Sequence, residues 1–147
     1  MKAYNFTLPA DNGEKITLSN YKGKKVILYF YPKDSTPGCT QEACDFRDNF
    51  ERLTAKKVVI LGVSKDSIIR HENFKKKNNL PFLLLSDEDG EICEKYGVWK
   101  EKINFGKRYF GIERTTFLID ENGDIVKEWR KVKVNGHIDE ILKEINN

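Results

Sequence analysis

No stretch of this 147-residue sequence approaches the ~20 consecutive apolar residues that a membrane-spanning helix needs. The opening MKAYNFTLPADNG lacks the apolar core and small-residue cleavage site of a secretory leader, which predicts a cytosolic protein and no membrane partner. Cysteine is scarce: three residues, an odd number at irregular spacing, argue against a disulfide framework and for reduced thiols. C-x-x-C is missing, so the usual thiol-disulfide oxidoreductase arrangement is disfavoured. Cysteine spacings of 5 and 49 residues fit no closed zinc arrangement. No glycine-rich phosphate loop is present to hold a nucleotide cofactor, and the net charge of +3 is dispersed among interleaved Lys and Glu, unlike the basic stripe of a nucleic-acid binder. Repeats, low-complexity segments and linkers are absent too. With 39% hydrophobic and 33% charged residues, the chain is expected to form one domain, 1–147, with a core that needs neither metal nor staple.

What is present alternates between two periodicities. VILYFY (26–31) and VVILGV (58–63) are β-branched or aromatic and nearly unbroken in apolarity, as in strands covered on both faces. Between them, 39–55 reads as a helix with Ala43, Phe46, Phe50 and Leu53 on one stripe. A second helix is expected over 64–79, capped by Asp66 or Ser67, with Ile68, Ile69 and Phe74 turned inward. LPFLLLSD (80–87) reads as a strand, 90–96 as a short helix and 97–111 as a Gly- and Lys-rich loop. TTFLID, ENGD and IVKEWR (115–130) make a hairpin, because Asn-Gly supplies the positive φ angles of a tight turn. A final helix carries Ile138, Ile141, Leu142 and Ile145, and DNG (11–13) suggests a small N-terminal hairpin. The order predicts an α/β fold with a mixed sheet and helices on both faces.

Cys39 stands at the mouth of the first helix, directly after Pro37 and Gly38. Unpaired N–H groups and the helix dipole favour the thiolate there, and thiolate is the nucleophilic form. At 100° per residue, Cys39 shares the face of Ala43 and Phe46, so its sulfur points into a pocket. Cys44 is rotated by roughly 140° and lies off that stripe. In an intact helix the two Cα atoms are about 8.5 Å apart, whereas a disulfide needs about 7 Å or less. If the two thiols ever pair, the first turns must unwind.

PKDSTPGCTQEACDF (32–46) sets Pro32, Thr36 and Cys39 in a P-x-x-x-T-x-x-C frame with Cys44 five residues later. Together with YFGIERTTFLID (109–120), it resembles the peroxiredoxins, and within them the bacterioferritin comigratory protein or peroxiredoxin Q subfamily. The resemblance covers nearly the whole chain and implies a thioredoxin-like fold. It assigns Cys39 as the thiol that attacks a hydroperoxide and becomes a sulfenic acid, and Arg114 as the active-site arginine. Thr36 would hydrogen-bond the peroxide, the Gly38 and Cys39 amides would contact its oxygen, and Pro32 and Pro37 would shield the sulfur. Glu42 is either a partner that orients Arg114 or the first turn, or an ordinary first-turn acid. The resemblance further implies that Cys44 closes an intramolecular disulfide, reduced by a thioredoxin or glutaredoxin, in a monomer without metal or other cofactor.

Elsewhere the expectations are plainer. Cys93 reads as structural, His71 and His137 as exposed helix residues without catalytic roles, and Trp99, Trp129, Phe105, Tyr109 and Phe110 as packing, or for a loop aromatic among them as lining the pocket mouth. A metal-binding module and a redox-dependent holdase are the competing classes; zinc binding and catalytic turnover separate them from a peroxidase.

Overall fold

In the computed structural model, which describes residues 1–146, strands β1 (Thr7–Pro9) and β2 (Lys15–Thr17) form the N-terminal hairpin, followed by a 3-10 turn (Leu18–Tyr21). Then come β3 (Lys25–Phe30), α1 (Pro37–Asp48), α2 (Phe50–Thr54), β4 (Val58–Ser64), α3 (Ile68–Asn78) and β5 (Leu83–Ser86). The chain continues through α4 (Glu91–Lys95), β6 (Trp99–Asn104), β7 (Lys107–Ile112), β8 (Thr115–Ile119), β9 (Ile125–Trp129) and α5 (His137–Ile145). Five strands form the central sheet in the order β5-β4-β3-β8-β9. Strands β3, β4 and β5 run parallel, and β8 and β9 are added antiparallel.

Strand alternation divides the core in two. From β3, Val26, Leu28 and Phe30 face one cluster, with Leu61 and Val63 of β4 and Phe117 and Ile119 of β8; the N-terminal hairpin, the 3-10 turn and α4 cover it. Ile27 and Tyr29 face the other cluster, beneath Cys39, Ala43 and Phe46 of α1, Phe74 of α3 and the apolar face of α5. Both faces therefore carry helix, though the first is covered largely by short elements. Gly62 has a packing reason. A Cβ there would meet the Tyr29 ring at 3.0 Å, so the missing side chain makes room for an aromatic stack in which Phe46 lies 4.5 Å from Tyr29.

Three expectations are corrected. The helix read over 39–55 is two helices, because Asn49 (φ −113°, ψ 14°) leaves the helical conformation while its side-chain amide donates to Asp45 O at 2.9 Å. The presumed loop 97–111 is mostly the β6–β7 hairpin, turned by Phe105 (φ 52°) and Gly106 (φ 76°). Its strands are largely exposed on both faces, so they carry no apolar alternation to read. Ile69 points to solvent, and its place on the buried face of α3 is taken by His71. Ser67, one of the two expected caps, does accept from Arg70 N.

Candidate active site

The loop from β3 delivers Cys39 to the sheet's C-terminal edge. Thr36 is the N-cap and Pro37 the first helical residue, where a missing N–H does no harm and the fixed φ suits the turn. Thr40 N is bonded to Thr36 O at 2.8 Å, leaving the Gly38 and Cys39 amides at the open helix mouth. Cys39 is buried, 2% exposed, on the stripe with Ala43 and Phe46 as its spacing predicts.

Arg114 immediately precedes β8, whose first residue, Thr115, pairs with Phe30 at the end of β3. That antiparallel register brings the arginine over the helix mouth, although 75 positions separate it from Cys39. Its Nη2 donates to Cys39 Sγ at 3.4 Å, and its Nη1 donates to Glu42 Oε1 at 2.7 Å. Gly38 leaves room for this approach, since a Cβ there would lie 3.1 Å from Nη2. Burial works against the Arg114 charge, but Glu42 and Cys39 outweigh it and raise its pKa, so the guanidinium stays charged. Glu42 is buried and its Oε2 has no hydrogen-bond partner. Burial pushes its pKa to about 7 despite the opposing pull of Arg114. Of the two roles open to Glu42, the geometry supports orienting Arg114.

The remaining expected residues divide. Thr36 is half-buried and its hydroxyl donates to Lys33 O at 2.7 Å, so toward the site it offers an acceptor oxygen. Pro32 is half-buried and lines a groove of about 390 Å³ with Lys65, Trp99, Lys102, Tyr109 and Phe110. Pro37 is exposed, so it shapes the first turn and does not cover the sulfur. Cys44 lies half-buried away from Cys39, its Sγ 3.8 Å from Asn78 Oδ1, and the neighbouring Arg47 donates to Asn78 O at 2.8 Å. Cys93 is fully buried on the opposite side of the sheet, where burial and then Asp87 push its thiol pKa up.

Both histidines are corrected. His71 and His137 are buried, not exposed. His137 Nε2 lies 2.8 Å from Thr116 Oγ1, and burial lowers its pKa. His71 meets Asp34 in the β3–α1 loop, a partner 37 positions away. Its three-residue spacing to Phe74 was the available signal. The aromatics divide: Trp99 and Trp129 pack against the two cores, Phe105 is 97% exposed at the hairpin tip, and Tyr109 and Phe110 line the groove beside Pro32, Phe110 stacking on Trp99.

Known proteins are similar to this chain in both sequence and fold. The model of the AhpC/TSA family matches residues 1–128. Peroxiredoxin Bcp of Bacillus subtilis is 57% identical over 144 residues, covering 98% of this chain and 92% of its own, and peroxiredoxin Bcp of Escherichia coli is 45% identical over 137 residues, covering 93% and 88%. A structure of the Xanthomonas campestris bacterioferritin comigratory protein, described for its alkyl peroxide reduction activity, superposes with a TM-score of 0.91 at 43% identity, covering 96% of this chain and 90% of that one. A mutant peroxiredoxin Q from Xylella fastidiosa gives 0.94 at 37% identity, covering 99% and 93%. A thiol at a helix mouth under a guanidinium, on a thioredoxin-like sheet and with these relatives, places the chain in the AhpC/TSA family as a peroxiredoxin, a thiol-dependent peroxidase.

Proposed function

We propose that Cys39 reduces hydrogen peroxide and organic hydroperoxides. Its thiolate attacks one peroxide oxygen, the O–O bond breaks, and the other oxygen leaves as hydroxide or alkoxide that takes up a proton. Cys39 is thereby oxidised to sulfenic acid. Arg114, 3.4 Å from the sulfur, is the observation that carries this reading: it stabilises both the thiolate and the charge that develops on the leaving oxygen. Thr36 accepts the peroxide hydrogen, the Gly38 and Cys39 amides hold its oxygen, Pro32 limits water, and Glu42 aims the guanidinium.

Cys44 then attacks the sulfenic sulfur, releasing water and forming a disulfide with Cys39. A thioredoxin- or glutaredoxin-type dithiol supplies two electrons to restore both thiols. Helical separation of about 8.5 Å requires α1 to unwind before the sulfurs meet. The chain works as one domain and as a monomer in the cytoplasm, with the thiols alone carrying the electrons. No helix among the described residues is long and apolar enough to cross a membrane.

Intact-mass spectrometry with peptide mapping tests the cycle on reduced protein given one equivalent of hydrogen peroxide and quenched within seconds. Loss of two hydrogens mapped to Cys39 and Cys44 is expected. Cys44→Ser should stop at sulfenic acid and overoxidise with more peroxide, and Cys39→Ser should not react. Slow oxidation shared with Cys93 would overturn the reading.

A further inference from the structure

The loop between β3 and α1 is pinned by a buried polar cluster that the peroxide chemistry does not use. Asp34 N–H donates to Asp66 Oδ2 at 2.8 Å. One Asp34 carboxylate oxygen accepts the Tyr31 hydroxyl, and the other lies 2.6 Å from His71 Nδ1. His71 Nε2 lies 2.8 Å from Leu85 O in β5. A carbonyl oxygen only accepts, so Nε2 carries hydrogen, and the contact at Nδ1 then requires one further proton shared by imidazole and carboxylate. That proton closes a chain of contacts from β5 through α3 to the loop. Burial opposes charge on His71, while Asp34, then the Leu85 carbonyl and Asp66, outweigh it and raise its pKa.

The residue after Asp34 shows what this hold acts on. Ser35 has φ 64°, a left-handed conformation that side chains disfavour and glycine adopts freely. Thr36 caps α1 next, and Cys39 follows three residues later. With Asp34 fixed at both its amide and its carboxylate, Ser35 cannot relax without moving the helix mouth.

We propose that the Asp34–His71 pair is a positioning device for Cys39: it keeps Ser35 left-handed and thereby fixes the geometry in which the thiol meets peroxide. The inference rests on Cys39 being the attacking thiol. It makes a prediction that general destabilisation does not, because glycine at position 35 removes the steric cost against which the hold acts.

The test is the rate constant for hydrogen peroxide, measured by competition with a haem peroxidase, in the parent, His71→Gln and His71→Gln/Ser35→Gly. Glutamine carries both donors on one nitrogen and cannot reach Asp34 and Leu85 from two separate ring atoms as His71 does, and a displaced nucleophile loses rate steeply, so His71→Gln should be about ten- to a hundredfold slower. Adding Ser35→Gly should recover much of the rate, to within about threefold of the parent, because glycine adopts the left-handed φ without the steric cost that serine carries there. A His71→Gln rate within about twofold of the parent, or a double variant as slow as the single, overturns the positioning role. Cys39→Ser tests the underlying reading separately: if it consumes peroxide like the parent, that reading falls first.

Should circular dichroism show that His71→Gln is unfolded, pH supplies the second arm. Tyr31, Asp34 and Asp66 face His71, with Arg70 paired to Asp66; burial keeps Tyr31 neutral. Because its partners raise the pKa of His71, the pair loses its proton only as pH rises above the ordinary imidazole range of about 6.5. The rate should then fall in the parent and hold in Ser35→Gly, and parallel profiles would overturn the proposal.

Discussion

Arg114→Ala withdraws the guanidinium from Cys39 and leaves Glu42 buried with neither oxygen paired. The rate with peroxide should fall about a hundredfold, as when one oriented donor is lost elsewhere, and Arg114→Lys should lie between, since a point charge cannot fork to sulfur and carboxylate together. Peroxide competition at neutral pH measures both; an unchanged Arg114→Ala rate would remove the arginine from the chemistry. Glu42 gives a pH prediction. Its folded pKa of about 7 lies above the ordinary 4.5, so between those values the folded state binds more protons and stability falls as pH rises. The loss attributable to Glu42 is about 3 kcal/mol across that window. Urea unfolding at about pH 5 and about pH 7.5 should show a smaller drop in Glu42→Gln than in the parent; equal drops would mean burial does not govern this carboxyl. At this scale Cys39 and Arg114 were legible through a local motif and a resembling segment. His71 and Asp34 were not. Among the Lys and Glu of its helix a histidine reads as surface, and its partner comes from a different turn of the fold.

For the elements, the separation of α1 from α2 at Asn49 predicts where oxidation is felt. The proposed Cys39–Cys44 disulfide would unwind the first turns of α1, whereas the Phe46–Tyr29 stack and the buried Leu53 of α2 lie beyond them. Hydrogen exchange followed by mass spectrometry should therefore show protection lost over 40–44 in the oxidised protein and retained in α2 and β4. Uniform loss through residue 54 would show that the two helices open as one. The apolar stripe concealed this joint, because Phe50 and Leu53 continue the spacing of Phe46 and periodicity does not register a break in backbone hydrogen bonding. The β6–β7 hairpin escaped for the opposite reason: nothing covers most of its residues, so no pattern was imposed on them. Strands β3 and β4, pressed between two cores, were read almost to the residue.

Across the whole molecule, the proposed disulfide would set two terms against each other. Closing a loop of about six residues stabilises by about 2 kcal/mol through the unfolded chain. Against this stand the lost turns of α1, the burial of Ala43 and the contact between Arg114 and Glu42. The oxidised protein should melt below the reduced one in a thermal scan, and an oxidised form as stable as the reduced would mean that α1 contributes little to either core. The layered α/β plan was legible because both faces of the central strands are apolar, but the coverage of each face was not, since short elements carry weak signals.

The antiparallel pairing of β8 with β3 has a consequence for how the protein comes into being. Cys39 is synthesised well before Arg114, and the two meet only when a strand from late in the chain docks beside one from early in it. Such a long-range pairing is slow to close. A nascent chain with β8 still inside the ribosome thus carries the cysteine without its guanidinium partner, and on the proposed mechanism peroxide reactivity would report that the native topology has been reached.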